Sequence, residues 1–92
     1  MNSEHRETVL KRLKSIEGHI RGIERMVEAD EYCIDVLRQT HAVQKALDRV
    51  NALIMQHHLD SCVTSVIRGS DVKERQRVIG EIVDVFEMSN KI

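Results

Sequence analysis

Residues 31–66, EYCIDVLRQTHAVQKALDRVNALIMQHHLDSCVTSV, decide the fold. No glycine occurs between Ile23 and Arg68 and no proline anywhere in the 92-residue chain, so nothing here breaks a helix. Val36, Val43, Leu47, Val50, Ile54 and Ser61 mark one seam, and the stretch predicts a single helix from about Glu31 to Val66. A helix of that length relies on partner helices. His58 and Cys62, four residues apart, point the same way from it. Cys33 lies 25 residues before His58, roughly 37 Å away on one continuous helix. The three side chains can share a site only if a second copy runs antiparallel, so that Cys33 of one chain meets His58 and Cys62 of the other.

The flanks extend this all-α reading to three helices. Val9, Leu13, Ile16, Ile20, Ile23 and Val27 recur at alternating steps of four and three, which predicts a first helix from about Ser3 to Val27. Gly18 and Gly22 share a face of it and are read as allowing close helix approach. Asp30 is the expected N-cap of the second helix. Gly69 is expected to end that helix in a left-handed conformation. Asp71 with Glu74 three residues on resembles a capping box that opens a third helix, whose buried face is Val72, Ile79, Ile82, Val83 and Phe86. Residues 1–92 read as one domain without internal repeat, low-complexity tract or linker.

Composition bounds the function. With one Phe, one Tyr and no Trp, the core must be aliphatic. A chain this small gives a single core only marginal stability, so partner chains add useful burial. The net charge of −1 gives no global attraction to nucleic acid, so any such contact must come from a local patch. Two cysteines are too few for a disulfide framework. The opening MNSEHRETVLKRLK has no apolar core and no apolar run approaches spanning length, so neither a secretory signal nor a membrane segment is expected. A cytoplasmic location, where thiols stay free, follows most simply.

An isolated cysteine in a helix ordinarily acts as a small hydrophobe. The His58–Cys62 pair at chelating spacing, with Cys33 where an antiparallel partner would bring it, argues for metal. Two thiolates and one imidazole form a soft three-donor set, suited to Cu(I). Zn(II) prefers a fourth ligand, for which His57, His5 or Glu81 are the candidates, and Ni(II) prefers more nitrogen. His57 projects about 100° away from His58. Together with His19 and His41 it is read as a surface or interface histidine, while His5 lies near a terminus expected to fray.

The chain resembles the CsoR/RcnR family of small helical, ligand-responsive transcriptional repressors, and within it the copper(I)-sensing type. The resemblance is carried by RLKSIEGHIRGIERMVEADEYCIDVLRQ, AVQKALDRVNAL and HHLDSCV. Copper sensors of the family show a Cys, His, Cys combination, which falls on Cys33, His58 and Cys62. In its nickel/cobalt sensors histidine replaces the last cysteine and an N-terminal histidine joins the site. Its persulfide sensors carry cysteine where this chain has His58, and its formaldehyde sensors use an N-terminal proline that this chain lacks. The resemblance implies that Tyr32 and Glu81 link metal binding to DNA release, and that Arg12 and Arg49 contact DNA. It also implies an antiparallel dimer forming a four-helix bundle, a dimer of such dimers, no helix-turn-helix, and one Cu(I) per chain bridging two subunits.

The basic residues are locally arranged. Lys11, Arg12, Lys14, Arg21 and Arg25 stand against only Glu17 and Glu24 within residues 11–25, and Arg38, Lys45 and Arg49 share a stripe. Such charges usually form solvated faces. With the family resemblance, Arg12, Arg49, Lys14, Arg21 and Lys45 become the candidate operator-DNA residues, repeated in each copy of an oligomer. The expected function is a copper(I)-responsive repressor that binds operator DNA as the metal-free homotetramer and releases it when Cu(I) binds at the dimer interface, derepressing copper-resistance genes. The alternatives are a same-family repressor of nickel/cobalt, zinc, formaldehyde or persulfide, and a copper buffer without a DNA role. No phosphate loop, Ser/His/Asp arrangement or CxxC is present, so an enzyme is not expected.

Overall fold

The computed structural model describes residues 1–89, and their regular structure is entirely helical. Helix α1 spans Ser3–Glu28 and α2 spans Cys33–His58. A π-helical turn, Leu59–Val63, leads into the short α3, Thr64–Arg68, and α4 covers Val72–Ser89. The three expected helices are therefore α1, the path from α2 through the π turn to α3, and α4. The expected unbroken helix over 31–66 is corrected at one place. His58, Val63 and Thr64 keep right-handed helical dihedrals, but the ladder between them widens from α to π.

Capping explains the boundaries. Asn2 Oδ1 accepts the amide of His5 at 2.8 Å and starts α1, satisfying one of the donors a helix leaves open. At the other end the Glu31 amide donates to the Met26 carbonyl and the Asp30 amide to that of Val27, the paired bonds of a Schellman motif. Asp30 holds φ 53° there. It closes α1 rather than capping α2, because Asp is among the few residues that tolerate the left-handed region. The Tyr32 carbonyl, accepting the amides of Asp35 and Val36, opens α2 instead. Gly69 leaves α3 with φ −75° and ψ 174°, extended rather than left-handed. Arg75 donates to its carbonyl at 3.3 Å. Asp71 caps α4 as expected, its Oδ1 accepting the Glu74 amide at 3.1 Å.

Residues 1–57 form one compact unit. His5 meets His57, Arg12 shares a cleft with Arg49, and His19 meets Gln39. The α2 partner falls as the α1 number rises, so the two helices run antiparallel. Val9, Ile16, Val43 and Val50 form the core between them, flanked by Ile23, Ala46 and Ile54. Burying each large aliphatic side chain stabilises by roughly 1.5 kcal/mol or more. Leu13, Ile20, Val27 and Leu47, expected in the same seams, remain exposed. A Cβ at Gly18 would meet nothing within 4 Å, and one at Gly22 would meet only the Arg25 side chain. Packing within the described chain therefore gives no reason for either glycine.

The unit from His58 onward buries Val63 and Val78. The face expected to be buried on α4 is corrected: Val72, Ile79, Val83 and Phe86 are exposed, Phe86 at 67 %. This row stays uncovered among the described residues. Among the described residues no helix is long and apolar enough to cross a membrane.

Candidate metal centre and basic cleft

Cys33 is the first residue of α2 and His58 the last, with Cys62 inside the π turn. A helix of 26 residues separates its ends by roughly 37 Å at ~1.5 Å per residue. One chain thus supplies a thiol at one end of α2 and an imidazole followed by a thiol at the other. Among the described residues of a single chain, no three His, Cys, Asp or Glu side chains gather as a metal site. Both cysteines are free and exposed, and His58 is half-buried. The Ser61 hydroxyl lies 3.8 Å from Cys62 Sγ as a donor. Two accessible thiols and one imidazole, with no competing disulfide, fit a soft monovalent ion such as Cu(I). The described donors of one chain do not gather into such a set.

Tyr32 immediately precedes α2 and is 70 % exposed. Glu81 on α4 accepts from Arg77 Nη1 at 2.9 Å. Arg77 also clasps Glu74 through Nε at 3.1 Å and through Nη2. This bond holds the Glu74 carboxyl below its ordinary range and raises Arg77 in return. His5 is not frayed: it lies in α1, its ring stacked on that of His57 with centroids 4.1 Å apart. Its Nε2 is buried without a hydrogen-bond partner. Desolvation, then the neighbouring His57, lowers its pKa from 6.5. His19 bonds Gln39 at 2.7 Å.

Arg12 and Arg49 come together. With Ser15, Ile16 and Ala46 they line an open cleft of about 220 Å³ between α1 and α2. Two guanidinium groups beside a hydroxyl, over an apolar floor, form a donor-rich recess suited to a phosphate oxygen. Lys14 and Lys45 are exposed. Arg21 is spent partly on Glu17, 2.8 Å away one turn earlier. Sequence reasoning missed Ser15 and Arg77, and placed Ser61 in the seam rather than beside the Cys62 thiol. The Arg77–Glu81 spacing of four was available as a signal.

Residues 5–88 match the family model of metal-sensitive transcriptional repressors. The chain is 39 % identical over 90 residues to the copper-sensing transcriptional repressor CsoR of Bacillus subtilis, covering 98 % of this chain and 86 % of that one. The copper-sensing repressor CsoR with Cu(I) from Geobacillus thermodenitrificans superposes with a TM-score of 0.88 at 37 % identity, over 99 % of this chain and 92 % of that one. The nickel-responsive transcriptional regulator InrS superposes with a TM-score of 0.76 at 38 % identity, covering 87 % and 90 %. The helical hairpin with its basic cleft, and the cysteines and histidine at the ends of α2, thus stand on a chain that belongs to the metal-sensitive transcriptional repressor family.

Proposed function

We propose that this chain is a copper(I)-responsive repressor, a binding protein rather than an enzyme, acting in the cytoplasm as one DNA-binding and metal-sensing domain. The carrying observation is the position of Cys33 and His58 at opposite ends of α2, with both thiols free. In this reading Cys33 of one chain closes with His58 and Cys62 of the partner subunit. These three donors would hold Cu(I), one per chain, whose softness would supply the affinity for thiolate sulfur. The uncovered apolar rows, with Leu13, Ile20 and Leu47 on α1–α2 and Val72, Ile79, Val83 and Phe86 on α4, support an antiparallel dimer and a dimer of dimers.

In the metal-free protein the Arg12–Arg49 cleft, with Lys14, Arg21 and Lys45 around it, holds phosphates of operator DNA. Repetition of that cleft in each subunit makes a modest local charge multivalent. Closing of the interchain site repacks the helices and takes the clefts out of register with DNA. Glu81 exchanges Arg77 for the ring N–H of His58, and Tyr32 packs beside Cys33, holding the released form. The exchange is cheap to start, since an exposed ion pair such as Arg77–Glu81 contributes little to stability.

The test begins with DNA selected from a random pool by the metal-free protein. Cu(I), titrated anaerobically against a competing chelator, should bind at one per chain and release that DNA. DNA should weaken Cu(I) binding by the same factor, because coupling is reciprocal. Unchanged Cu(I) affinity in saturating DNA contradicts the reading. Arg12→Ala or Arg49→Ala should weaken binding and lower the salt slope by about one for each phosphate no longer neutralised. A nickel-sensing reading is favoured by one observation, the imidazole of His5 held against His57. His5→Ala separates the two: a copper sensor keeps its Cu(I) affinity, and a nickel sensor loses Ni(II).

A further inference from the structure

Between His58 and Thr64 the backbone leaves the α-helical ladder. The Thr64 amide donates to the carbonyl of Leu59, five residues back. The Thr64 hydroxyl donates to the same carbonyl at 2.5 Å. A threonine in an α-helix reaches the carbonyl three or four residues back. The carbonyl five back comes within reach only where the turn is widened. This side-chain bond therefore belongs to the π geometry and would be lost if the turn tightened.

Cys62 sits inside that turn and His58 immediately precedes it. In a straight α-helix, side chains four apart are rotated by roughly 40°. A turn holding one more residue swings the later side chain back toward the earlier one. The direction of the Cys62 thiol relative to the His58 ring thus depends on which ladder the backbone follows. Single π turns inside α-helices recur at functional sites, and this one holds one of the three candidate metal donors and directly follows another.

We propose that Thr64 is a positioning residue for the metal centre: its hydroxyl, bonded to the Leu59 carbonyl, holds the π turn that aims Cys62 alongside His58. The inference rests on the copper reading above. Thr64 touches no metal and acts through the backbone that carries Cys62. Removing one such hydrogen bond shifts the balance between the two ladders by about two- to tenfold.

The experiment compares the intact wild-type protein with Thr64→Val, which keeps the shape, and Thr64→Ser, which keeps the hydroxyl. Three quantities are measured: hydrogen exchange of the 59–64 amides without metal, anaerobic Cu(I) affinity against a chelator, and sulfur and nitrogen ligand numbers by X-ray absorption. Thr64→Val should alter the amide exchange, lose about tenfold in Cu(I) affinity, and lose or weaken its nitrogen ligand. Thr64→Ser should restore all three, with thermal unfolding unchanged across the series. Wild-type affinity and ligand numbers in Thr64→Val overturn the role while leaving the copper reading in place. A Thr64→Ser protein that behaves like Thr64→Val also overturns it. Wild-type protein that fails to bind Cu(I) overturns the copper reading and this inference together.

Discussion

Residues 1–57 and the residues from His58 onward are built from similar helices but use them differently. The first unit buries Val9, Ile16, Val43 and Val50 as one core, at spacings of seven on both helices. Its side-chain pairs, His5 with His57 and His19 with Gln39, tie α1 to α2. The second unit buries Val63 and Val78 and leaves a long apolar row on α4 exposed. It also carries the π turn, His58, Cys62 and Glu81. Under the proposed function the contrast is a division of labour: regular packing holds the hairpin that bears the basic cleft, while the irregular, incompletely buried unit bears two of the three proposed metal donors, His58 and Cys62, and Glu81, proposed to respond to them. Low local burial suits a segment that must rearrange.

The sharpest way to break this division is Cys62→Ala. Outer-shell changes cost 10–100-fold in metal affinity, so losing a donor should cost more than about 100-fold in Cu(I) affinity. The exposed thiol contributes little to folding, so the urea midpoint of the metal-free protein should not move. A large loss of stability would mean the second unit's chemistry and its folding are not separable. Next in size is Val50→Ala in the first unit, where the side chain is 3 % exposed. It should destabilise by about 2 kcal/mol in urea unfolding yet leave copper per chain unchanged.

Asp71→Ala probes the start of α4, where the Asp71 carboxylate accepts the Glu74 amide. It should cost about 1 kcal/mol of stability, read by urea unfolding. A smaller effect is expected from acid. The pKa of folded His5 is lowered from 6.5 by desolvation and by His57, so folding favours its neutral form. That contribution is present above 6.5 and is lost as pH falls through the depressed value. Thermal unfolding of wild type should therefore soften on acidification below that range, and His5→Gln should flatten this part of the profile. An equal slope in both proteins would remove His5 from the pH response of the first unit.

Much of this arrangement is legible in the sequence, for reasons that differ between the units. Val9, Ile16, Val43 and Val50 follow the helical period and Asp71 uses standard cap chemistry, so element positions follow within a few residues, although Gly69 is extended rather than left-handed. Asp30 is ambiguous because a residue that favours N-caps also tolerates the left-handed region, and the Schellman bonds decide between them. The apolar face of α4 has the period of a buried face, but periodicity does not say whether the same chain or another covers it. The π turn is invisible because LDSCV has no composition that distinguishes one helical ladder from another. For the site, the spacing of Cys33, His58 and Cys62 is what the two-chain proposal rests on. The Arg77–Glu81 pair is signalled by its spacing of four, and the coordinates show it formed.

The most direct test of the central claim, that the metal centre is completed across two chains, is Cu(I) binding by a purified mixed dimer of Cys33→Ala and Cys62→Ala chains. Each homodimer should lack any tight site. In the mixed dimer both lesions fall on one composite site and spare the other, so one tight Cu(I) per two chains should return. No recovery in a verified mixed dimer, or tight binding by the Cys33→Ala homodimer, would contradict the account.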